Sequence, residues 1–359
     1  MKLIFKIILI LILCATQALA GEFSISKYKV NTYGFINTDA IYDAHGATAS
    51  EGYVFATTNR PDSDNFNLNV NATRIGIDLS DTYRFNAKAE IDFNGTNQSS
   101  EVHPRLRQGY FTVRLGRTQL LFGQTWTLMP DVLTSSIETR AIGFAGALWS
   151  RAPQIRLSTR PMENLLISFS AVRPTRNPGS NFGTASGRPA FQGEVQVGIY
   201  KATLSMSGAL GRWSDSFNRK ADVEFFALGL NLPISIVTIS GQLWTGKNLD
   251  DYFGGCGNIG YDANQVKAKG GFGRIQIQPH RRLWFEAGMG IDDPEDLHLA
   301  AGSIGKNEAF FGNASVRFFD AFTTTLEYGE NRTEYVVNSI APPTARTNQR
   351  YSLTTRFEF

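Results

Sequence analysis

The chain has 359 residues, of which 35 are Lys or Arg and 32 are Asp or Glu, and 42% are hydrophobic. A formal charge of +3 is too small for the basic face of a nucleic-acid binder, and two cysteines are too few for a disulfide framework. The first twenty residues, MKLIFKIILILILCATQALA, place Lys2 and Lys6 around the start of an apolar run and end in Ala18-Leu19-Ala20, the small-x-small pattern of a cleaved export signal. The apolar run at residues 7–13 falls far short of the roughly 20 residues a spanning helix needs, and bulky Leu13 before Cys14 does not fit a lipoprotein site. Residues 1–20 are therefore expected to be a signal peptide and 21–359 a single unit that is nearly neutral, with Cys256 as its one cysteine.

After Ala20 the recurring pattern is alternation. FNAKAEIDFN sets Phe85, Ala87, Ala89, Ile91 and Phe93 against Asn86, Lys88, Glu90 and Asp92. FQGEVQVGI and RIQIQ repeat the device at residues 191–199 and 274–278. The last ten residues, RYSLTTRFEF, put Tyr351, Leu353, Thr355, Phe357 and Phe359 on one strand face and Ser352, Thr354, Arg356 and Glu358 on the other. Sixteen such segments can be placed, near residues 30–42, 69–79, 85–94, 105–114, 118–126, 152–159, 165–173, 191–199, 202–212, 223–232, 234–245, 268–278, 282–291, 308–318, 322–330 and 349–359.

Their connections alternate strictly between short and long. Short ones are SDTYR (80–84), LGR (115–117), RPMEN (160–164), Tyr200-Lys201, Pro233, PHRR (279–282) and the DA pair at 320–321, and the links between them are mostly much longer. Tight turns at one end and long loops at the other describe an up-and-down antiparallel transmembrane β-barrel. In lipid no backbone group can go unpaired, so with no helical span a closed barrel remains, apolar outside and wet inside. Sixteen strands enclose too wide a space for side chains to fill, which leaves an aqueous channel.

The third long loop, at about 127–151, carries Leu128, Met129, Val132, Leu133, Ile142, Phe144, Leu148 and Trp149, too apolar for a solvated outer loop. It is expected to fold into the lumen and constrict the pore, presenting Asp131, Glu138 and Arg140. Inward parity adds Arg74, Lys88, Arg105, Arg107, Arg156, Arg274 and Arg317, together with Asp78, Glu90, Asp92, Glu194 and Glu286. Arg105, Arg107 and Arg156 lie on strands flanking the loop, and Arg140 and Arg151 in it or at its end. Guanidinium forks bind carboxylates bidentately, so this cluster is the candidate anion filter. The competing reading is that some of these Arg side chains pair with Asp131 or Glu138 to pin the loop down.

YGFINTDAIYD (33–43), AKAEIDFNG (87–95), RLRQGYFTV (105–113), LLFGQTWTLMPD (120–131) and RAPQIRLS (151–158) resemble the DcaP-type porins of gram-negative outer membranes. The resemblance covers the N-terminal half. It implies a homotrimeric channel for passive uptake of small anions, dicarboxylates in particular, through an Arg-lined eyelet. It also implies an outer-membrane setting among lipids and lipopolysaccharide, and recognition of C-terminal Phe359 by the barrel-assembly machinery. The chain departs from many members in lacking a coiled-coil segment between Ala20 and Val30.

Other motifs carry less. GGCGNIG matches a dinucleotide fingerprint at Gly255, Gly257 and Gly260 without a βαβ setting, and reads as a mobile loop tip. DDPED (292–296) reads as a solvated outer loop, and His45, His103, His280 and His298 fall in loops or turns without metal-ligand spacing, so no metal or other cofactor is expected. The alternatives to a channel are a barrel enzyme, for which His103 with Asp92 is the pair to check, and a surface receptor or adhesin.

Overall fold

A computed structural model describes residues 22–25, 27–47, 55–57, 62–81, 83–95, 103–130, 142–174, 186–214, 217–337 and 344–359. The expected Asp131, Glu138 and Arg140 lie outside these residues. The strands are β1 (Glu22–Ile25), β2 (Tyr28–Asp43), β3 (Asn65–Asn69), β4 (Arg74–Ser80), β5 (Phe85–Gly95), β6 (His103–Leu115), β7 (Thr118–Trp126), β8 (Arg151–Met162) and β9 (Leu165–Val172). They continue as β10 (Ala190–Ile199), β11 (Ala202–Ser214), β12 (Lys220–Ile234), β13 (Val237–Lys247), β14 (Lys267–His280), β15 (Leu283–Pro294), β16 (Ile304–Phe318), β17 (Phe322–Tyr335) and β18 (Thr344–Glu358). Apart from β3 and β4, which both pair with β2, each strand pairs antiparallel with its sequence neighbour, and β18 returns to β2 from Arg350↔Asp43 to Glu358↔Phe35, closing the sheet on itself.

Both β3 and β4 lie against β2 and are two pieces of one strand, interrupted where the Thr73 N–H turns back onto the Val70 carbonyl at 3.0 Å. The Thr73 hydroxyl fills the gap by accepting the Asn37 N–H at 3.1 Å. The short β1 was not foreseen. It takes up the edge of β2 from Asn31 to Tyr28, beyond the point where Phe359 and Gly34 exchange backbone hydrogen bonds of 2.9 and 3.0 Å. Sixteen strands thus form the closed wall, as the alternation predicts.

Two turn-side details differ from expectation. Pro233 is no turn residue but sits within β12 opposite Thr238, and the chain reverses at Ser235, which supplies the left-handed φ of 56°. His103 and His280 belong to strand ends.

The two faces of the wall separate cleanly. On β17 and β18, Thr323, Thr325, Glu327, Asn331, Thr333, Asn348, Arg350, Ser352 and Thr354 face inward and are buried, whereas Leu326, Tyr351 and Leu353 face out, Leu326 being 62% exposed. The same outward band includes Ile36, Leu68, Phe111, Phe169, Leu243 and Met289, each more than a third exposed. At about 25 cal/mol per Å² of apolar surface, a band this wide is costly in water and neutral in hydrocarbon.

Many polar inward groups pair with one another across strands. Arg350 clasps Asp43 through Nε and Nη2 at 2.7 and 2.8 Å, and Asn348 donates to the same carboxylate at 2.7 Å. Both ions are almost fully buried. Arg350→Ala leaves the carboxylate without its countercharge at the strand that closes the barrel. The expected cost is about 3–5 kcal/mol, read as a lower temperature at which the barrel loses its compact electrophoretic mobility.

Candidate functional site: the lumen and the chamber beneath the third loop

Register places Arg74, Lys88, Arg105, Arg107, Arg156, Arg274 and Arg317 on the inner wall, but in two different electrostatic settings. On β4 to β6 they are paired. Arg105 forms a fork to Asp92 with Nε and Nη2 at 3.0 and 2.7 Å. Arg107 bridges Glu90 Oε1 at 2.7 Å and Asp92 Oδ2 at 2.8 Å, and Arg74 lies 3.7 Å from Glu90. Lys88 reaches Asp78 at 3.2 Å and donates to the Tyr33 hydroxyl, which in turn donates to Glu90 at 3.0 Å. Arg105 and Arg107 therefore serve a cross-strand ladder with wall carboxylates, and Asp131 and Glu138, their expected partners in pinning the loop, lie outside the described residues. Asp92, with Arg105 and Arg107 on it, is equally committed and does not form the acid–His103 pair an enzyme reading calls for.

A register shift between Glu90 and Ile91 leaves Arg107 as an extra residue, Glu90 pairing with Gln108 and Ile91 with Leu106, so that Arg107 and Gln108 in succession both reach Glu90. Beyond this bulge the inward set changes parity to Tyr110, Thr112 and Arg114. Simple alternation cannot show that switch.

Arg156 on β8 has uncharged partners. Its Nε and Nη2 donate to Gln154 Oε1 at 3.0 and 2.8 Å, and Nη2 also donates to the Trp126 carbonyl. Arg151 at the loop end of the same strand lies over the Trp126 ring at 5.0 Å. On the far wall Arg274 holds Ser240 at 2.7 Å and Glu286 at 3.1 Å, and Arg317 near the turns meets Glu358 at 3.3 Å. Among the described residues the predicted cations thus do not converge on one ring, and Arg156 is set apart by its contacts.

The described ends of the third loop, 127–130 and 142–150, turn inward. The Leu128 N–H donates to Gln192 Oε1 at 2.9 Å on β10, and the Leu148 N–H to Gln242 Oε1 at 2.7 Å on β13. Trp244 Nε1 donates to the Gly146 carbonyl at 2.7 Å, and Asn307 Nδ2 to the Phe144 carbonyl at 2.9 Å. The loop crosses from β7 to the opposite wall because its apolar side chains find partners there: Leu148 and Met129 join Trp213, Val223, Phe225 and Trp244 in one buried cluster. Gly146, at φ 111°, touches the wall so closely that a Cβ would run into the Gly271 carbonyl.

Residues 248–266 close over the same core and are not a mobile tip. Tyr252 is buried, accepts the Trp149 N–H on its backbone carbonyl at 3.1 Å, and accepts Gln192 Nε2 on its hydroxyl at 3.0 Å. Burial raises its phenol above the ordinary range. The N–H groups of Gly255 and Cys256 donate to the two Asp292 oxygens at 3.0 and 2.9 Å, so Asp292 belongs to a buried anchor and not to a solvated acidic loop. The Cys256 thiol is 5% exposed, and burial, with the Asp292 charge beside it, raises its pKa well above normal. Maleimide at pH 8 is expected to label Cys256 only after denaturation, because the thiolate that reacts is both rare and inaccessible. Labelling of the folded barrel with the kinetics of a free thiol contradicts this packing.

Beneath the third loop lies a chamber of about 900 Å³. Leu128, Met129, Pro130, Leu148 and Trp149 roof it, with Trp126 beside them. Arg156, Ser158, Ser168, Glu194 and Gln196 line its wall, and Arg114, Arg117 and Arg160 stand toward the turn side with Glu163. Sequence reasoning passed over Arg114, Arg117 and Arg160. The signal available was their common place next to the short connections LGR and RPMEN. Among the described residues no group of three His, Cys, Asp or Glu side chains is arranged to hold a metal.

No family model matches the sequence, and no curated protein matches it. Solved structures do. The outer-membrane channel DcaP of Acinetobacter baumannii superposes with a TM-score of 0.81 at 19% identity, covering 95% of this chain and all of that one. An anion-selective porin from Comamonas acidovorans gives 0.64 at 12% identity over 92% of this chain and 100% of its own. OmpF of Salmonella typhi, in complex with daunomycin, gives 0.66 at 11% identity over 94% of this chain and 100% of its own. At such identities the likeness establishes the fold, and that fold is a porin barrel similar to that of the DcaP channel.

Proposed function

We propose that the protein is an outer-membrane diffusion channel for small hydrophilic solutes with a preference for carboxylated anions, dicarboxylates among them. The observation that carries this is the division of the wall: an apolar outer band suited to hydrocarbon surrounds a charged, hydrogen-bonded inner face with an aqueous chamber. Arg156, Arg114, Arg117 and Arg160 outnumber Glu163 and Glu194 around that chamber, which favours anions at the narrowed part of the path. The third loop acts as the constriction, and Asp131, Glu138 and Arg140 would face it. Export would follow cleavage after Ala20, with Phe359 presented to the assembly machinery, and the barrels would sit as homotrimers among lipids and lipopolysaccharide. The porin likenesses support this reading over a barrel enzyme or a receptor.

The test is single-channel recording of purified protein in planar bilayers under a salt gradient. Discrete conductance steps with a reversal potential on the anion side are expected. Absence of steps sinks the channel reading, and a cationic reversal leaves the channel but removes the preference.

A further inference from the structure

We infer that the turn-side mouth of the lumen carries a phosphate-binding site, formed by Arg117 and Arg160 and taking inorganic phosphate or the phosphoryl group of a phosphomonoester. The inference goes beyond the carboxylate path of the channel reading. Arg117 lies in the LGR turn between β6 and β7, and Arg160 on β8 stands across from it, next to the Thr118↔Thr159 pair. Two hydrogen bonds tie them: the Arg160 N–H donates to the Arg117 carbonyl at 3.0 Å, and Arg117 Nη1 to the Pro161 carbonyl at 2.7 Å. The neighbouring strand pair repeats the arrangement. There Arg84 stands opposite Arg114, next to Phe85↔Val113, with the Arg114 N–H on the Arg84 carbonyl at 2.8 Å.

Like charges directly opposite one another on paired strands are destabilising. Arg74, Arg105, Arg107, Arg274, Arg317 and Arg350 each lie against a carboxylate. Among the described residues none of Arg84, Arg114, Arg117 and Arg160 has such a partner. The acids at this end do not make up the deficit. Asp81 Oδ1 accepts the backbone N–H groups of Tyr83, Arg84 and Phe85 at 3.0, 2.8 and 2.9 Å, Asp78 is paired with Lys88, and Glu163 offsets one charge of the four.

A phosphate dianion fits this excess better than a carboxylate does. One guanidinium fork occupies both oxygens of a carboxylate, as Arg105 does on Asp92. A phosphoryl group offers three oxygens and a charge of about −1.5 to −2, enough to take donors from Arg117 and Arg160 together and to relieve their repulsion. Arg114, Arg117 and Arg160 all line the chamber, so a solute leaving it meets the pair. A carboxylate engages one fork at a time and moves on, which leaves the dicarboxylate path open.

The test is isothermal titration calorimetry of the full detergent-purified protein at pH 7.5 and fixed ionic strength, with inorganic phosphate and with succinate, a dicarboxylate dianion. Phosphate should bind with a dissociation constant at least about tenfold below that of succinate, the difference one charge-assisted hydrogen bond makes. Arg160→Gln should remove that difference, and Arg160→Lys, which keeps the charge without the fork, should restore only part of it. Lys201→Gln, in the turn between β10 and β11, should leave it unchanged. In phosphate-free buffer Arg160→Gln should be no less heat-stable than the parent, because it removes one of two facing like charges. Equal affinity for the two dianions on the unmodified protein overturns the inference. So does equal weakening by Lys201→Gln, which marks screening of a basic end rather than a site. Calorimetry needs no current: the phosphate preference without conductance steps keeps the site and removes the channel reading, and steps without the preference do the reverse.

Discussion

Arg156→Ala should move the reversal potential toward the cation side and weaken current block by carboxylates about tenfold, whereas Arg105→Ala should do neither to a comparable degree. The difference lies in what each guanidinium already holds. Arg105 forms a fork to Asp92, and its removal withdraws one positive charge while leaving a carboxylate that Arg107 still contacts. Arg156 donates its hydrogen bonds to Gln154 and the Trp126 carbonyl, neutral acceptors, and feels the Glu194 charge without a hydrogen bond to it. A hydrogen bond from an ionised donor to a solute carboxylate contributes about 1.5 kcal/mol, which corresponds to roughly the tenfold change. Arg105→Ala should instead lower stability by roughly 1–2 kcal/mol, the modest figure reflecting a side chain that is 39% exposed. Equal effects of the two substitutions on block would place the filter on the β5–β6 wall after all.

Gly290→Leu should unseat the third loop and raise single-channel conductance. Gly290 on β15 lies directly under Ala145, and even a Cβ there would run into the Ala145 carbonyl. Backbone meets backbone at this point, so neither side can yield by a rotamer change. Forcing them apart also pulls at Trp244 on the Gly146 carbonyl, Gln242 on Leu148 and Asn307 on the Phe144 carbonyl. The loop-to-wall association is expected to weaken by about 2–4 kcal/mol, in the range of an overpacked core. The barrel itself should survive, since its ladder is made elsewhere. A larger, noisier conductance with near-normal heat stability is the expected record. Unchanged conductance in a folded variant would mean that the loop does not narrow the path.

The barrel was legible because its physics repeats. Alternation such as FNAKAEIDFN fixes which face a residue occupies, and the lengths of the links fix which end it lies near, so that 118–126 coincides with β7 to the residue. Local departures from the repeat were not legible. The bulge at Arg107 that switches the inward set of β6 to Tyr110, Thr112 and Arg114, the interruption between β3 and β4, and the shift of the turn from Pro233 to Ser235 each depend on one extra residue or one left-handed φ. Site chemistry was harder still. Parity names Arg105, Arg107 and Arg156 alike as inward cations and is blind to Asp92 and Glu90 cancelling two of them. The anchoring of GGCG on Asp292 requires contact between segments 36 residues apart, which no local pattern contains.

The seam between β2 and β18 has a consequence for the order of folding. Its clasp, Arg350 to Asp43, joins positions 307 residues apart, so no contact of β18 with β2 can form until nearly the whole chain has been made. Closure entropy grows only slowly with loop length, yet every other strand pair links sequence neighbours and can zip first. Until the last strand arrives, β2 therefore waits with one edge open to any passing strand. The β1 hairpin covers only the end of that edge, from Asn31 to Tyr28, and leaves the stretch that Arg350 to Phe359 will occupy. A chain cut short before Thr344 is thus a sheet with an adhesive edge rather than a smaller barrel, and aggregation is its natural fate.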